Sequence, residues 1–306
     1  MNLSYPLILD GGLSNVLEAK GCKLNHKLWT AELLLSNPLA IIDTHLAYLK
    51  AGAQIVSTVG YQASIQGFKE QGFSQNEIKE LILKPVELAQ IACDKFLSSQ
   101  PKSIKPLIAA SIGPFGAYLG DGSEYKGNYG LSNLELKYFH QQRIEWLDTS
   151  SADILAFETI PSLQEARVLS ELLTHAHKSA WISFSCKDGK YLNDGTPISE
   201  ACQFLNSVKH VLAIGVNCTA PKYISSLIQE IKTHAPDKRI IIYPNSGEVF
   251  NPIDKSWTGI SDPKAYAPQA MQWVKEGADI IGGCCRIGPK HIKEIAFSIR
   301  KQGIGL

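Results

Sequence analysis

A single (β/α)8 barrel, the TIM-barrel architecture, is the fold this sequence predicts, and three observations predict it. Eight short apolar runs rich in β-branched residues recur along the 306 residues. Amphipathic helix-like segments separate them, and strict alternation of the two implies a parallel sheet. No Pro- or Ser-rich linker, low-complexity tract or sequence repeat breaks the pattern, so one domain over residues 1–306 is expected rather than two smaller ones.

The runs open with Leu7–Gly12 (LILDGG). Asn37-Pro38 then starts a helix carrying Leu39, Ile42, Leu46 and Leu49 on one side, with Pro at the helix entrance. Gln54–Tyr61 (QIVSTVGY) is the second strand, and the helix after it spans about 75–97, with Pro85 expected to kink or divide it. Leu107–Phe115 and Asp153–Pro161 follow as strands, separated by the helix Ser132–Asp148. Ser162–His175 leads to the strand Ala180–Cys186, and Ile198–Val208 to Val211–Cys218. Pro221–His234, Arg239–Gly247, Pro263–Lys275, Asp279–Arg286 and Pro289–Ile299 complete the alternation. Several strands are apolar almost throughout, as strands buried on both faces should be.

Charge excludes one class of function. Thirty Lys and Arg face 29 Asp and Glu, a formal net charge of +1, with no basic stripe for a phosphate backbone. The first lysine is Lys20, so the N-terminal segment lacks a basic n-region, and no apolar run approaches a membrane span. The expectation is a cytoplasmic protein with no nucleic-acid or membrane partner, as a monomer or small homo-oligomer. Dinucleotide, Walker, G-x-S-x-G and H-E-x-x-H patterns are absent from the sequence.

Seven cysteines, an odd number, make a poor disulfide framework for a chain of this size. Cys284 and Cys285 are adjacent, which holds their Cα atoms ~3.8 Å apart, closer than an unstrained disulfide spans. In a barrel, active sites lie at the C-terminal ends of the strands. Cys218 ends the sixth run and Cys284-Cys285 end the eighth, so three sulfurs can converge at one edge of that mouth. Three protein ligands with an open fourth position describe catalytic zinc. Neighbouring strand residues point to opposite faces, so both vicinal cysteines reach one ion only if the backbone leaves strand geometry; Gly282-Gly283 offer that freedom. Cys22, Cys93 and Cys202 fall in helical or connecting segments without ligand partners, and Cys186 is read as structural.

Three thiolates on Zn2+ give a formal charge of about −1, a poor generator of hydroxide but a good seat for a fourth thiolate. Holding a thiol deprotonated at pH 7 removes a cost of roughly 2 kcal/mol. A site then near −2 favours a cationic electrophile such as a sulfonium.

The motifs GVNC at Gly215–Cys218 and GGCCR at Gly282–Arg286 resemble signatures of the zinc-dependent homocysteine S-methyltransferases. DGG at Asp10–Gly12, YQAS at Tyr61–Ser64, ETIP at Glu158–Pro161 and YPNSGE at Tyr243–Glu248 are similar to that family too. GPFGAYLGDGSEYKGNY at Gly113–Tyr129 and DGTP at Asp194–Pro197 resemble its S-methylmethionine-using branch. The resemblance implies homocysteine as acceptor, methionine as product, a methyl-sulfonium donor, and zinc on Cys218, Cys284 and Cys285. It also implies that amides of Asp10 and Gly11 hold the acceptor's carboxylate, that Glu158 meets its ammonium, and that Thr58 contacts the same amino acid. Asn245 matches a position that some relatives use as a fourth zinc ligand. Asp10 has a second reading, as a side-chain cap on the helix after it.

The segment Gly113–Gly130 holds six glycines, three tyrosines, Asp121 and Glu124. It reads as a long loop without secondary structure that covers the mouth and meets the donor, with aromatic faces for a sulfonium and acids for an ammonium. Two other functions use the same barrel: a lyase or aldolase, for which Lys187 is the strand-end candidate, and a non-catalytic zinc protein. Selenocysteine and betaine-type compounds stand as alternative substrates.

Overall fold

Eight strands pair in parallel around one ring in a computed structural model that describes residues 5–22, 33–251, 256–259 and 261–303. In chain order the strands are β1 (Leu7–Ile8), β2 (Ile55–Ser57), β3 (Leu107–Ile112), β4 (Ile154–Ile160), β5 (Ala180–Phe184), β6 (Val211–Asn217) and β7 (Arg239–Tyr243). A hairpin, β8 (Val249–Asn251) and β9 (Ser256–Thr258), follows before β10 (Ile280–Ile281). The ring runs β1-β10-β7-β6-β5-β4-β3-β2, and a parallel bridge between Leu9 and Ile55 joins its two ends. This is the expected (β/α)8 barrel. The antiparallel β8–β9 hairpin is an addition that the apolar runs did not signal.

Period-two alternation divides each strand between two cores. Leu7, Leu9, Ile55, Ala109, Ala156, Trp181, Ala213, Ile241, Tyr243 and Ile280 fill the barrel interior. Their neighbours, among them Ile8, Val56, Ile108, Phe157 and Ile182, pack outward against the helices. Trp181 is fully buried and donates its Nε1–H to the Tyr243 hydroxyl at 3.2 Å, which places a large aromatic pair beneath the mouth.

Strands are shorter than their apolar runs because the last residues of each run leave the ladder and build the mouth. The helices also carry corrections. Leu39 is 65% exposed, and the buried face of Pro38–Ala51 is Ile41, Thr44, His45 and Tyr48 with Ile42 and Leu49. The apolar stripe is therefore rotated from the expected one, because Tyr48 turns inward and donates its hydroxyl to Gly12 O and Ile287 O, beyond the ends of β1 and β10. Asn37 does cap this helix, accepting from the Ala40 N–H at 3.2 Å. Gln75–Ser99 is one helix that continues through Pro85. Pro85 is buried among Ile78, Leu81, Ile82, Val86 and Ala89, and packing of both halves on the core outweighs the lost backbone bond. Among the described residues, no helix is long and apolar enough to cross a membrane.

Candidate active site

The reactive side chains gather where β1, β2, β4, β6, β7 and β10 end. β6 is buried from Ala213 to its last residue, Asn217, and then turns abruptly: Cys218 has φ 46°, in the left-handed region that costs a side chain of its kind energy. Asn217 explains how that turn is held. Its Oδ1 accepts from the Thr159 N–H at 2.8 Å and its Nδ2 donates to the Thr159 hydroxyl at 2.7 Å. Thr159 itself sits at φ 59°, in a register shift of β4 immediately after Glu158. One amide thus fastens the ends of β4 and β6 together, and its Nδ2 also points to the Cys284 sulfur at 4.0 Å.

β10 stops at Ile281, and the chain then leaves strand geometry, as two adjacent ligands require. The Cys284 N–H donates to Pro244 O at 2.8 Å, and the Ile287 N–H closes a turn onto Cys284 O at 3.1 Å. Gly282 and Gly283 are needed here for a different reason from the one expected. Neither has a positive φ; a Cβ on Gly282 would lie 2.7 Å from Asp10 O, and one on Gly283 would enter the Ile287 side chain. The left-handed residue is Arg286, φ 69°, whose guanidinium is gripped by Glu248 at 3.0 and 3.3 Å.

The sulfurs of Cys218, Cys284 and Cys285 all lie within 4.8 Å of one another, the one such metal-capable group among the described residues. Cys218 and Cys285 are 3.9 Å apart at sulfur, close to the ~3.8 Å edge of a tetrahedron built on ~2.3 Å Zn–S bonds. Cys218 and Cys284 are in disulfide contact with Cα atoms 5.6 Å apart, and two-electron reduction frees both thiols for ligation. Burial pushes the Cys285 thiol up to about 11, with Glu124 and Glu18 adding to the effect. Such a thiol stays protonated at neutral pH unless a cation lies beside it. Asn245 stands on the loop after β7 with its N–H on Thr219 O at 3.1 Å, and its Oδ1 is buried without a partner. The donor set fits a thiophilic divalent ion: three soft sulfurs and one unsatisfied oxygen.

Beside the sulfurs lies an acidic pocket. Glu158 is 9% exposed, and burial lifts its carboxyl to about 7 against the opposing hydrogen bonds from Ser111 and Ser57. Its Oε1 has no partner. Asp10 is buried next to it; burial and the charge of Glu158 hold its carboxyl well above the usual range although it accepts the Ser57 N–H at 3.0 Å. Asp10 therefore does not cap the following helix, whose N-cap is Gly12. The Asp10 N–H is committed to Ile55 O at 3.0 Å, so of the two amides at this strand end only that of Gly11 lacks an acceptor among the described residues. The Thr58 hydroxyl accepts the Ser111 N–H at 3.0 Å and keeps its own proton to donate.

The segment 113–130 is not structureless. It folds as a short helix, Phe115–Leu119, and a 3-10 turn, Ser123–Tyr125. A buried network roots it: Arg143 donates to Gly113 O, Ala63 O and His140 Nδ1, while His140 Nε2 and the Phe115 N–H meet the Glu165 carboxylate. Lys187, the aldolase candidate, lies with its ammonium 5.1 Å from the centre of the Tyr191 ring.

With this geometry in place, comparison with known proteins is decisive. The family model described as homocysteine S-methyltransferase matches residues 7–299. The chain belongs to the homocysteine S-methyltransferase family. Homocysteine S-methyltransferase YbgG of Bacillus subtilis is 46% identical over 298 residues, 96% of this chain and 94% of that protein. A selenocysteine Se-methyltransferase of Brassica oleracea is 43% identical, over 94% of this chain and 87% of its own. The metallated form of the homocysteine methyltransferase MmuM from Escherichia coli superimposes with a TM-score of 0.85 at 38% identity, covering 95% of this chain and 96% of that one. The motifs that resemble the homocysteine S-methyltransferase family lie at or just after the ends of all eight barrel strands in this chain. Sequence reasoning passed over Asn217 and the Glu248–Arg286 pair. The only signal was that Asn217 and Arg286 flank ligand cysteines inside quoted motifs.

Proposed function

We propose that this chain transfers a methyl group from a sulfonium donor, S-methylmethionine in the first instance, to the thiolate of homocysteine, forming methionine. The observation that carries the reading is the convergence of Cys218, Cys284 and Cys285 beside an unpaired buried carboxylate. Zinc bound by the three sulfurs supplies a Lewis-acid seat that keeps the acceptor thiol deprotonated at neutral pH. Asn245 offers an oxygen at the same place before the acceptor arrives.

The chain's own residues do the positioning. Glu158 takes the acceptor's ammonium, with Asp10 and the Thr58 hydroxyl around it, and the Gly11 N–H takes its carboxylate. The thiol proton leaves to solvent. The acceptor sulfur then forms a bond to the donor methyl as the donor's S–CH3 bond breaks, and the electron pair of that bond neutralises the sulfonium. Charge is annihilated, so no general base is required in this step. Removing about 2 kcal/mol of deprotonation cost gives only some thirty-fold in rate; alignment of the two sulfurs by the pocket supplies more.

The test is methionine formation by the reduced, zinc-loaded protein across a donor panel of S-methylmethionine, S-adenosylmethionine and betaine-type compounds. Zinc-edge absorption spectra with and without homocysteine accompany it. Turnover with a sulfonium, together with an added sulfur neighbour when homocysteine is present, is the expected result. A zinc environment unchanged by homocysteine would remove the mechanism.

A further inference from the structure

We propose that Glu124 selects the methyl donor by pairing its carboxylate with the α-ammonium of a sulfonium amino acid. The proposal rests on the functional reading above and names a substrate-contacting residue of the same site.

Glu124 Oε2 is buried without a hydrogen-bond partner, although it belongs to a surface segment where water would normally serve it. Asp121, the other acid of the segment, differs in both respects: it is exposed and accepts the Ser123 N–H at 3.0 Å. The backbone carrying Glu124 is fixed. Its carbonyl accepts from Ser185 Oγ at 3.3 Å, and Gly116 presses against its N–H so closely that a Cβ there would collide with it. A carboxylate on a fixed backbone with one oxygen buried and unsatisfied is costly unless a cation completes it.

Its neighbours define what that cation belongs to. Ser185 Oγ, which holds the Glu124 carbonyl, also donates to Thr159 O at 3.4 Å, so Glu124 is tied to the ends of β4 and β5 beside the Glu158–Thr159 step. Tyr61 stands at the root of the same segment, its carbonyl accepting the Gly113 N–H at 3.1 Å. Glu124 and Glu158 each keep one buried, unpartnered oxygen at these strand ends. Methyl transfer between two amino acids requires two ammonium seats on opposite sides of the reacting sulfurs. Glu158 is the acceptor's seat, which leaves Glu124 to serve as the second. Tyr61 and Tyr125 present ring faces where a sulfonium would sit. Among the described residues no lysine or arginine offsets Glu124; the charge that acts on it most is that of Asp121, and burial with this charge raises its carboxyl above the usual range.

The experiment is steady-state kinetics of reduced, zinc-loaded Glu124→Gln and Asp121→Asn against the unaltered chain, with S-methylmethionine varied at saturating homocysteine and the reverse. For Glu124→Gln the donor KM should rise at least tenfold while the homocysteine KM stays within twofold, which also shows the variant to be folded. Asp121→Asn should leave both within twofold. Equal rises in both KM values, no rise in the donor KM, or a larger donor effect from Asp121→Asn would overturn the assignment. Absence of methionine formation by the unaltered chain would overturn the functional reading and this one with it. Turnover by the unaltered chain with an unshifted Glu124→Gln variant would overturn this one alone.

Discussion

Replacing Glu158 with Gln separates charge from shape in the acceptor pocket. The carboxyl titrates at about 7 rather than 4.5, because burial penalises its charge more than the Ser111 and Ser57 hydroxyls relieve it. A folded-state pKa above the unfolded one means that the native chain holds the proton over a window where the unfolded chain has lost it. Stability therefore falls as pH rises from about 4.5 to 7 and stays lowered above that. The gap corresponds to about 3 kcal/mol at pH 8 and less than about 1 kcal/mol at pH 5. Gln fills nearly the same volume and never ionises. Without substrate, the variant should thus be more stable than the parent by up to about 3 kcal/mol at pH 8, with the advantage nearly gone at pH 5. With Glu158 as the proposed partner of the homocysteine ammonium, the substrate should lose in the same variant about 2–4 kcal/mol of binding, or roughly thirty- to thousand-fold in KM. Urea unfolding at the two pH values, with homocysteine kinetics beside it, reads both effects. Equal stability differences at pH 5 and pH 8, or an unchanged homocysteine KM, would refute the reasoning.

Three further outcomes follow from the same geometry. Cys218→Ser should leave less than a tenth of an equivalent of zinc after dialysis under reducing conditions and abolish methionine formation; full metal retention by elemental analysis counts against the three-sulfur centre. Asn217→Ala removes two buried bonds that hold Thr159 at φ 59° and should cost about 2–4 kcal/mol in urea unfolding, with a loss under about 0.5 kcal/mol speaking against the clamp. Gly283→Ala drives a methyl into Ile287 and should lower stability by about 1–3 kcal/mol. Adding Ile287→Ala should recover part of that loss in thermal melts, and no recovery would point to the backbone instead.

Much of this molecule was readable from its residues because strands buried on both faces announce themselves. LIAASI and the ILAF that opens the fourth strand are apolar but for Ser111, and the parallel alternation they take part in permits few arrangements. The convergence of Cys218, Cys284 and Cys285 was equally open to inspection, since two adjacent cysteines and a third at another strand end can meet at one edge of the mouth. Other features depended on contacts across the barrel, which local pattern does not carry. Leu39 sits at a helical position that looks apolar yet faces solvent, while Tyr48 turns inward to donate its hydroxyl to Gly12 O and Ile287 O. Pro85 reads as a helix breaker until both halves are seen packed on one core. Gly282-Gly283 were correctly placed but for the wrong physics: close approach, not backbone latitude. Asn217 looked like filler in a motif because its partner is 58 residues away in sequence.

The left-handed backbone at Cys218 bears on any attempt to transplant this chemistry. A designer who copied three cysteines onto the rim of another parallel barrel would inherit ordinary extended strand ends, where the first thiol faces away from the other two. What must travel with them is the amide bracket spanning the fourth and sixth staves, because that cross-brace bends the chain enough for a sulfur to look inward.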